Sequence, residues 1–256
     1  MTVLLVDLGN TALKWATSED PESPHTFVHG GTGEVSDSLQ QQWLALRPSR
    51  VVGCMVSSET LALALTRLLN QHRIGWDWMH SERVFKGNFT LVNRYDNFRQ
   101  LGSDRWHAAI GAADLYANQA LLVIHMGTAT TVDTVLPCDE GLAFMGGRIL
   151  PGAAMMYDSL VKGTRCRPGG IGIKSNFPKS TADAISTSII EAHLGVIDRA
   201  RQAVQQAGFE PKIVFAGGAA PLLAPYIIAE HADAVLKHNL VLRGLACRVR
   251  CETDHH

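Results

Sequence analysis

The same local pattern occurs twice in this chain, about 120 residues apart. A buried apolar strand, VLLVD from Val3, ends at a turn of small residues and is followed by a second strand, TALKWAT. LLVIH, which begins at Leu121, leads through a Gly and Thr turn into TTVDTVL in the same way. Because this recurrence indicates duplication, the sequence predicts two α/β domains, residues 1–118 and 119–256, with a cleft between them.

Strands and helices alternate through the rest of the chain. Periodic apolar residues predict helices over five segments: 36–46, 59–72, 103–118, 181–207 and 240–249. Short apolar runs predict buried strands over 51–56 and 212–216. Ser57 and Ser58 are candidate N-caps of the helix over 59–72, and Thr181 is the candidate N-cap of the longest helix.

Composition narrows the class of protein. Of the 256 residues, 46% are hydrophobic and 18% charged, which excludes a disordered or fibrous chain. Lys and Arg number 23 and Asp and Glu 24, so the net charge of −1 predicts no binding to nucleic acid or to an anionic membrane. No apolar run reaches the roughly 18 residues of a membrane span. Five scattered cysteines are typical of reduced thiols, and we expect a cytoplasmic protein.

The first turn carries a candidate phosphate site. Asp7 ends a buried strand and can hold Mg²⁺ directly or through water, while Gly9 lets backbone approach a ligand. Asn10 and Thr11 can donate to phosphate oxygens, and Lys14 adds a positive charge. The candidate segment is Asp7, Leu8, Gly9, Asn10, Thr11, Ala12, Leu13 and Lys14. The alternative is an ordinary Asn/Gly hairpin in which the carboxylate only forms the turn.

The second turn has the same physical character. Gly127 is flexible, and Thr128 and the threonines after it offer hydroxyls at a strand end. Two such turns facing one cleft would hold a polyphosphate from both domains, and closure would follow nucleotide binding. A simple Thr-rich strand is the alternative, since Thr is common in strands.

A third group of residues opens the predicted helix at 103. Asp104 should lie near the positive end of the helix dipole, where an ionised carboxylate is favoured and can act as a base. Arg105 offers a planar fork for a carboxylate or phosphate, and Tyr95 can add a ring and a hydroxyl. The alternative is helix capping by Ser103 or Asp104 beside a surface arginine.

Taken in order, the motifs DLGNTALK, LGSDRW, GTATTVD, GGRILPG, STADAI and AGGAA resemble those of type III pantothenate kinases. That family belongs to the superfamily of duplicated actin-like, ribonuclease H-like ATP-binding folds. The resemblance implies transfer of phosphate from ATP to pantothenate, giving 4′-phosphopantothenate in the first step of coenzyme A synthesis. It also implies a cytoplasmic homodimer that uses Mg²⁺ and a monovalent cation, K⁺ or NH₄⁺.

The resemblance also implies roles for single residues. Asp104 matches the family's catalytic base, and Thr128 matches an ATP contact in the second phosphate loop. The residues that match pantothenate contacts are Tyr95, Gly102, Ser103, Asp104, Arg105 and Thr181. His125 stands where many members have an Asp that binds the monovalent cation. Because hard cations prefer oxygen ligands, we expect this site to be removed or remodelled.

Two other functions are compatible with these motifs. The first is another kinase or polyphosphate-cleaving enzyme of the same superfamily, since phosphate loops do not specify the acceptor. Arg105 favours an acceptor that bears a carboxylate. The second is a regulatory or accessory binding protein that keeps the fold without turnover.

Overall fold

A computed structural model describes residues 2–29, 35–56 and 59–253. The candidate caps Ser57 and Ser58 lie outside the described residues. The chain forms two compact units. The first comprises Met1–Asn118, Pro137–Phe144 and His238–His256, and the second comprises Gln119–Leu136 and Met145–Lys237. The domain boundary at residue 118 and the cleft stay predictions.

Twelve strands and seven α-helices are present in the described part of the chain. The strands are β1 (Val3–Leu8), β2 (Ala12–Thr17), β3 (Asp20–Val28), β4 (Arg50–Met55), β5 (Gly75–Met79), β6 (Val84–Lys86), β7 (Thr90–Asn93), β8 (Leu121–Met126), β9 (Ala129–Cys138), β10 (Gly141–Pro151), β11 (Lys212–Ala216) and β12 (Val235–Leu236). The helices are α1 (Asp37–Ala45), α2 (Glu59–Gln71), α3 (Ser103–Leu115), α4 (Ala153–Gly163), α5 (Thr181–Gln206), α6 (Ala220–Glu230) and α7 (Leu240–Thr253).

The first unit is built on a five-stranded sheet with the order β3-β2-β1-β4-β5. β1 pairs antiparallel with β2 and parallel with β4, so the predicted opening hairpin is confirmed. β1 is the central strand, and its apolar side chains are buried from Leu4 to Leu8, as the run VLLVD predicts. Trp43 of α1 and Leu65 of α2 belong to the same apolar core.

Helix α3 also belongs to the first unit and packs along α7. A Cβ atom at Gly111 would collide with the backbone carbonyl of Leu240, and one at Gly244 would collide with that of His107. The two helices therefore meet backbone to backbone, and only glycine allows this approach. α3 ends at Leu115, three residues before the predicted Asn118, which has a left-handed φ of 60°.

The second unit has strands in the order β12-β11-β8-β9-β10, of which β9 and β10 also have residues in the first unit. β8 and β9 pair antiparallel, so the second predicted strand, turn and strand are confirmed. α5 and α6 contribute to its core, which includes Ile124, Phe215 and Ile197. The α/β class predicted from the sequence is confirmed.

The start of α5 differs from the prediction. Ser180 is the N-cap, because its Oγ accepts a hydrogen bond of 3.1 Å from the backbone N–H of Asp183. Thr181 is the first helical residue, and its prediction as N-cap was wrong. Two adjacent hydroxyl residues give the same local signal, so sequence spacing alone does not distinguish them.

Eight of these elements were not predicted: β3, β5, β6, β7, β10, β12, α4 and α6. β3 alternates poorly, contains Pro21 and Pro24 and lies at a sheet edge, where proline is tolerated. β10 contains a Gly- and Pro-rich segment that is typical of a turn, and α4 and α6 follow such segments. Within the described residues, no helix is long and apolar enough to cross a membrane.

The α3–α7 contact can be tested with Gly244→Ala. We expect this change to lower the free energy of unfolding by about 1–3 kcal/mol, because the new methyl group overlaps the His107 carbonyl. In Gly195→Ala, the matched control within α5, no described atom lies within 4 Å of the new Cβ. That change should raise the free energy by about 0.5–1 kcal/mol. Urea unfolding followed by circular dichroism measures both, and equal effects would contradict the contact.

Candidate active site

The first unit buries a carboxyl group at the end of its central strand. Asp7 is 7% exposed and lies opposite Lys14 on β2 and beside Cys54 on β4. The Cys54 thiol donates to Asp7 Oδ1 over 3.8 Å. Burial raises the pKa of Asp7 from 3.8 to about 6, while the Lys14 charge lowers it and the Asp104 charge raises it. The negative charge of Asp104 therefore acts on Asp7, and the two carboxylates repel each other.

Hydrogen bonds fix the backbone of the turn that follows Asp7. The Gly9 N–H donates to the Ala12 carbonyl over 3.0 Å and closes the turn. The His29 ring Nε2 lies 3.0 Å from the Gly9 carbonyl, and the His29 N–H donates to the Thr11 carbonyl over 3.1 Å. Asn10 and Thr11 are exposed at the tip. The turn therefore presents polar side chains to solvent on a fixed backbone.

Two of the predicted phosphate-loop residues are core residues. The side chains of Leu8 and Leu13 are fully buried in the apolar core. Only their backbone atoms are available to a ligand. Ala12 and Lys14 are half-buried on β2.

The first turn of α3 holds the candidate base. Gly102 is the N-cap and has no side chain to cap the helix, so neither Ser103 nor Asp104 is the N-cap residue of the alternative interpretation. Asp104 is half-buried, and its Oδ1 accepts from the Arg105 N–H over 2.8 Å. A Cβ atom at Gly102 would lie 2.6 Å from the same oxygen, so glycine leaves room for the carboxylate. Ser103 Oγ donates to the Met55 carbonyl over 3.4 Å, which joins this turn to the end of β4.

Arg105 is a buried and oriented guanidinium. Its Nη1 donates to the Tyr95 hydroxyl over 3.0 Å, and its Cζ lies 5.7 Å from the Tyr95 ring centre and 5.8 Å from that of Phe144. The alternative of a surface arginine is therefore wrong. Tyr95, Gly102, Ser103, Asp104 and Arg105 lie in one unit. Tyr95 contacts Arg105, Arg105 contacts Asp104, and the Asp104 carboxylate lies beside Gly102.

Sequence reasoning missed several residues around this turn. Ser81 Oγ donates to the carbonyls of Leu101 and Gly102 over 2.8 and 3.3 Å. Cys54 and His107 are both buried beside the site residues. None of the three lies in a motif. Tertiary packing brings Cys54 and Ser81 there, whereas His107 lies on α3 itself, and only its place in the apolar pattern of that helix was visible as a signal.

The second unit holds the other predicted phosphate turn. The Gly127 N–H donates to the Ala129 carbonyl over 3.0 Å, and the Gly152 N–H donates to the Thr128 carbonyl over 2.9 Å. Gly217 has a φ of 111° and packs against the Met126 carbonyl. The three Gly-containing segments GTATT, LPGA and AGGAA therefore meet at the end of β8. The Thr128 side chain is exposed there.

Two further predicted residues lie in the second unit. His125 is half-buried near the end of β8, opposite Thr131 on β9 and Ala216 on β11. Its Cδ2 packs against Gly217. Thr181 is exposed at the start of α5.

Comparison with known proteins decides the family. A sequence model of type III pantothenate kinases matches residues 3–203. The chain belongs to the type III pantothenate kinase family. A family member from Paracidovorax citrulli is 34% identical over 259 residues, covering 96% of each chain. One from Aromatoleum aromaticum is 35% identical over 253 residues, covering 97% of this chain and 98% of the relative. The resemblance drawn from the motifs is confirmed, and ATP use follows for a kinase family.

Solved structures show the fold. A putative Baf family transcriptional activator from Campylobacter jejuni aligns with a TM-score of 0.62 at 20% identity, covering 99% of this chain and all of the other. A putative 2-dehydro-3-deoxygalactonokinase from Sinorhizobium meliloti aligns at 0.54 and 12% identity, covering 97% and 99%. The predicted actin-like fold, a mixed α/β chain with two sheets, is confirmed for this pantothenate kinase family member.

The burial of Asp7 predicts a pH-dependent stability. The folded pKa of about 6 lies above 3.8, so ionised Asp7 destabilises the protein progressively from about pH 4 and fully above about pH 6. We expect Asp7→Asn to raise the free energy of unfolding by about 2–3 kcal/mol at pH 8 in Mg²⁺-free buffer, and by about half of that at pH 5.

Urea unfolding at the two pH values measures this difference. Asp139→Asn, a change of an exposed carboxylate in the same unit, is the control and should show neither effect. A gain that does not depend on pH would contradict the burial of an ionised Asp7.

Proposed function

We propose that this protein phosphorylates pantothenate with ATP, giving 4′-phosphopantothenate, the first step of coenzyme A synthesis. The observation that carries the proposal is the family match over residues 3–203, which includes the whole first turn of α3. The buried fork of Arg105 beside the half-buried carboxylate of Asp104 supports it. An acceptor with one carboxylate and one alcohol is suited to such a pair.

In this proposal the α3 residues act on the acceptor. Asp104 accepts the proton of the attacking hydroxyl, and Arg105 binds the carboxylate of pantothenate through two parallel N–H groups. The Tyr95 hydroxyl fixes the guanidinium plane, as the 3.0 Å hydrogen bond indicates. Gly102 and Ser103 would supply backbone and hydroxyl contacts, and Thr181 is proposed as a further pantothenate contact. Phosphoryl transfer requires mainly positioning and charge neutralisation, which this arrangement supplies.

The ATP contacts are proposed in both units. In the first unit the segment from Asp7 to Lys14 would bind phosphate through the exposed tip of its turn. In the second unit Gly127 and Thr128 would do so at the end of β8. The repulsion between Asp7 and Asp104 fits a bound Mg²⁺, which Asp7 would hold. Mg²⁺ supplies neutralisation of phosphate charge when bound.

We further propose that His125 alters the monovalent-cation site. The ring is half-buried against Gly217 at the end of β8, in the position where the family resemblance places a carboxylate. An imidazole is a poor ligand for K⁺ or NH₄⁺. Activity should therefore change little when K⁺ or NH₄⁺ replaces a larger organic cation at constant ionic strength. Steep, saturable activation would contradict removal of the site.

A cytoplasmic homodimer is also part of the proposal. Large apolar side chains of the second unit are exposed within a single stretch of the chain: Met145, Ile149, Met155, Ile171, Ile173 and Phe177. Exposed apolar groups in such number favour burial against another protein surface. The net charge of −1 supports neither nucleic acid nor an anionic membrane as the partner. Scattered free cysteines support a reducing compartment.

A coupled ATP assay with pantothenate tests the function. We expect the wild-type protein to form ADP in the presence of pantothenate, and Asp104→Asn to lower kcat by about 10²–10⁴-fold, because the general base is lost. Asp139→Asn is the matched control for removing a carboxylate and should keep wild-type turnover.

Two results would contradict the proposal. Near-wild-type turnover of Asp104→Asn would remove this residue from the role of base. Phosphorylation of sugars, with none of pantothenate, would identify a different kinase of the superfamily.

A further inference from the structure

A fully buried histidine lies one helical turn after the candidate base. His107 on α3 has no exposed surface, and both of its ring nitrogens have partners. Nδ1 lies 2.7 Å from the Ser103 carbonyl oxygen, and Nε2 lies 3.2 Å from Nε of Arg248 on α7. The ring therefore connects α7 to the first turn of α3.

Chemistry assigns the proton of this ring. A guanidinium can only donate, so Nε2 of His107 accepts from Arg248 and carries no hydrogen. Nδ1 then carries the proton and donates it to the Ser103 carbonyl. Burial, followed by the Arg248 charge, lowers the pKa of His107 to about 3, which keeps this neutral tautomer at physiological pH.

Arg248 is itself fixed. Its two terminal nitrogens donate to the two carboxylate oxygens of Glu82 over 2.8 and 3.0 Å. Its guanidinium carbon lies 5.3 Å from the centre of the Phe85 ring. A guanidinium bound on two sides has one orientation, so its Nε–H stays directed at His107.

The turn that His107 contacts is held at three successive carbonyl groups. Ser81 binds those of Leu101 and Gly102, and His107 binds that of Ser103. Asp104 and Arg105 follow directly. Together with the bond from the Ser103 hydroxyl to the Met55 carbonyl, these buried donors fix the approach of the chain to the helix.

We propose that His107 is a positioning residue for the reaction: its Nδ1–H holds the Ser103 carbonyl and so sets the placement of Asp104 and Arg105. This inference rests on the proposed function, in which those two residues serve as base and substrate-binding fork. A displacement of about 1 Å in a catalytic group lowers turnover by up to about 10²-fold. The bond to Arg248, in contrast, fixes the tautomer and stabilises the α3–α7 contact.

Two substitutions separate the two bonds. The amide nitrogen of Asn is as many bonds from Cβ as Nδ1 of histidine, so His107→Asn keeps a donor for the Ser103 carbonyl and loses the contact with Arg248. The amide oxygen of Gln is as many bonds from Cβ as Nε2, so His107→Gln keeps an acceptor for Arg248, while its amide N–H lies one bond farther from Cβ than Nδ1 and does not replace that donor. Both variants stay polar and uncharged at the same buried position.

We expect His107→Gln to be the less active of the two variants and His107→Asn to be the less stable. In the coupled assay with pantothenate, kcat of His107→Gln should fall about 10–10²-fold, while that of His107→Asn stays within about threefold of wild type. The KM for ATP should change less than threefold in both. His107→Asn should nevertheless be the less stable variant, because the guanidinium of Arg248 loses its buried acceptor. Leu39→Ala, a core change on α1, is the control for lost stability and should keep kcat.

A second readout does not depend on turnover. Hydrogen exchange of a peptide covering 101–108 should be faster in His107→Gln than in His107→Asn or Leu39→Ala, because only the first loses the bond to Ser103. Equal kcat in the two His107 variants, or a lower kcat for His107→Asn, would overturn the inference. Wild-type protein without activity on pantothenate would instead contradict the proposed function, and equal exchange in the two variants would then overturn the inference by itself.

Discussion

A carboxyl group that is costly to ionise lies at the end of the central strand, and the candidate site is organised around it. Asp7 lies on the buried strand between β2 and β4. The positive charge of Lys14 makes ionisation of this carboxyl group easier, and the negative charge of Asp104 makes it harder. Apolar side chains on the same strand build the core of the first unit, so the strand cannot move the carboxyl group to solvent without losing that core. A ligand that brings positive charge relieves this cost, which couples occupancy of the site to stability.

Rigid placement of the first turn of α3 follows from a different constraint. Glycines at 111 and 244 bring α3 and α7 into backbone contact, and this contact places His107 within reach of Arg248. The same helix then presents a carboxylate and a guanidinium on consecutive residues. The buried His107 ring therefore connects the α3–α7 contact to the positions of Asp104 and Arg105.

The sequence predicted the elements whose signals are local. Runs such as VLLVD and KIVFA are apolar enough to identify buried strands, and Ser36 caps α1 at the predicted start of that helix. Edge strand β3 was missed because its prolines and exposed side chains are typical of a loop. The motif residues Asp7, Asp104 and Arg105 could be chosen from their types and from family resemblance. Their partners Cys54 and Ser81 could not, since distant parts of the chain bring them there, and the same holds for the contact between His107 and Arg248.

Binding of pantothenate, measured by calorimetry without ATP, tests the central claim that two consecutive residues of α3 have separate roles, Asp104 as the base and Arg105 as the binding group for the carboxylate. The account predicts that Asp104→Asn binds pantothenate within about threefold of wild type, because an amide still hydrogen-bonds the alcohol while losing only the base. Arg105→Lys should bind pantothenate about 10–10²-fold more weakly, because the bidentate hydrogen bonding to the carboxylate is lost. Unchanged affinity in Arg105→Lys, or loss of binding in Asp104→Asn, would contradict it.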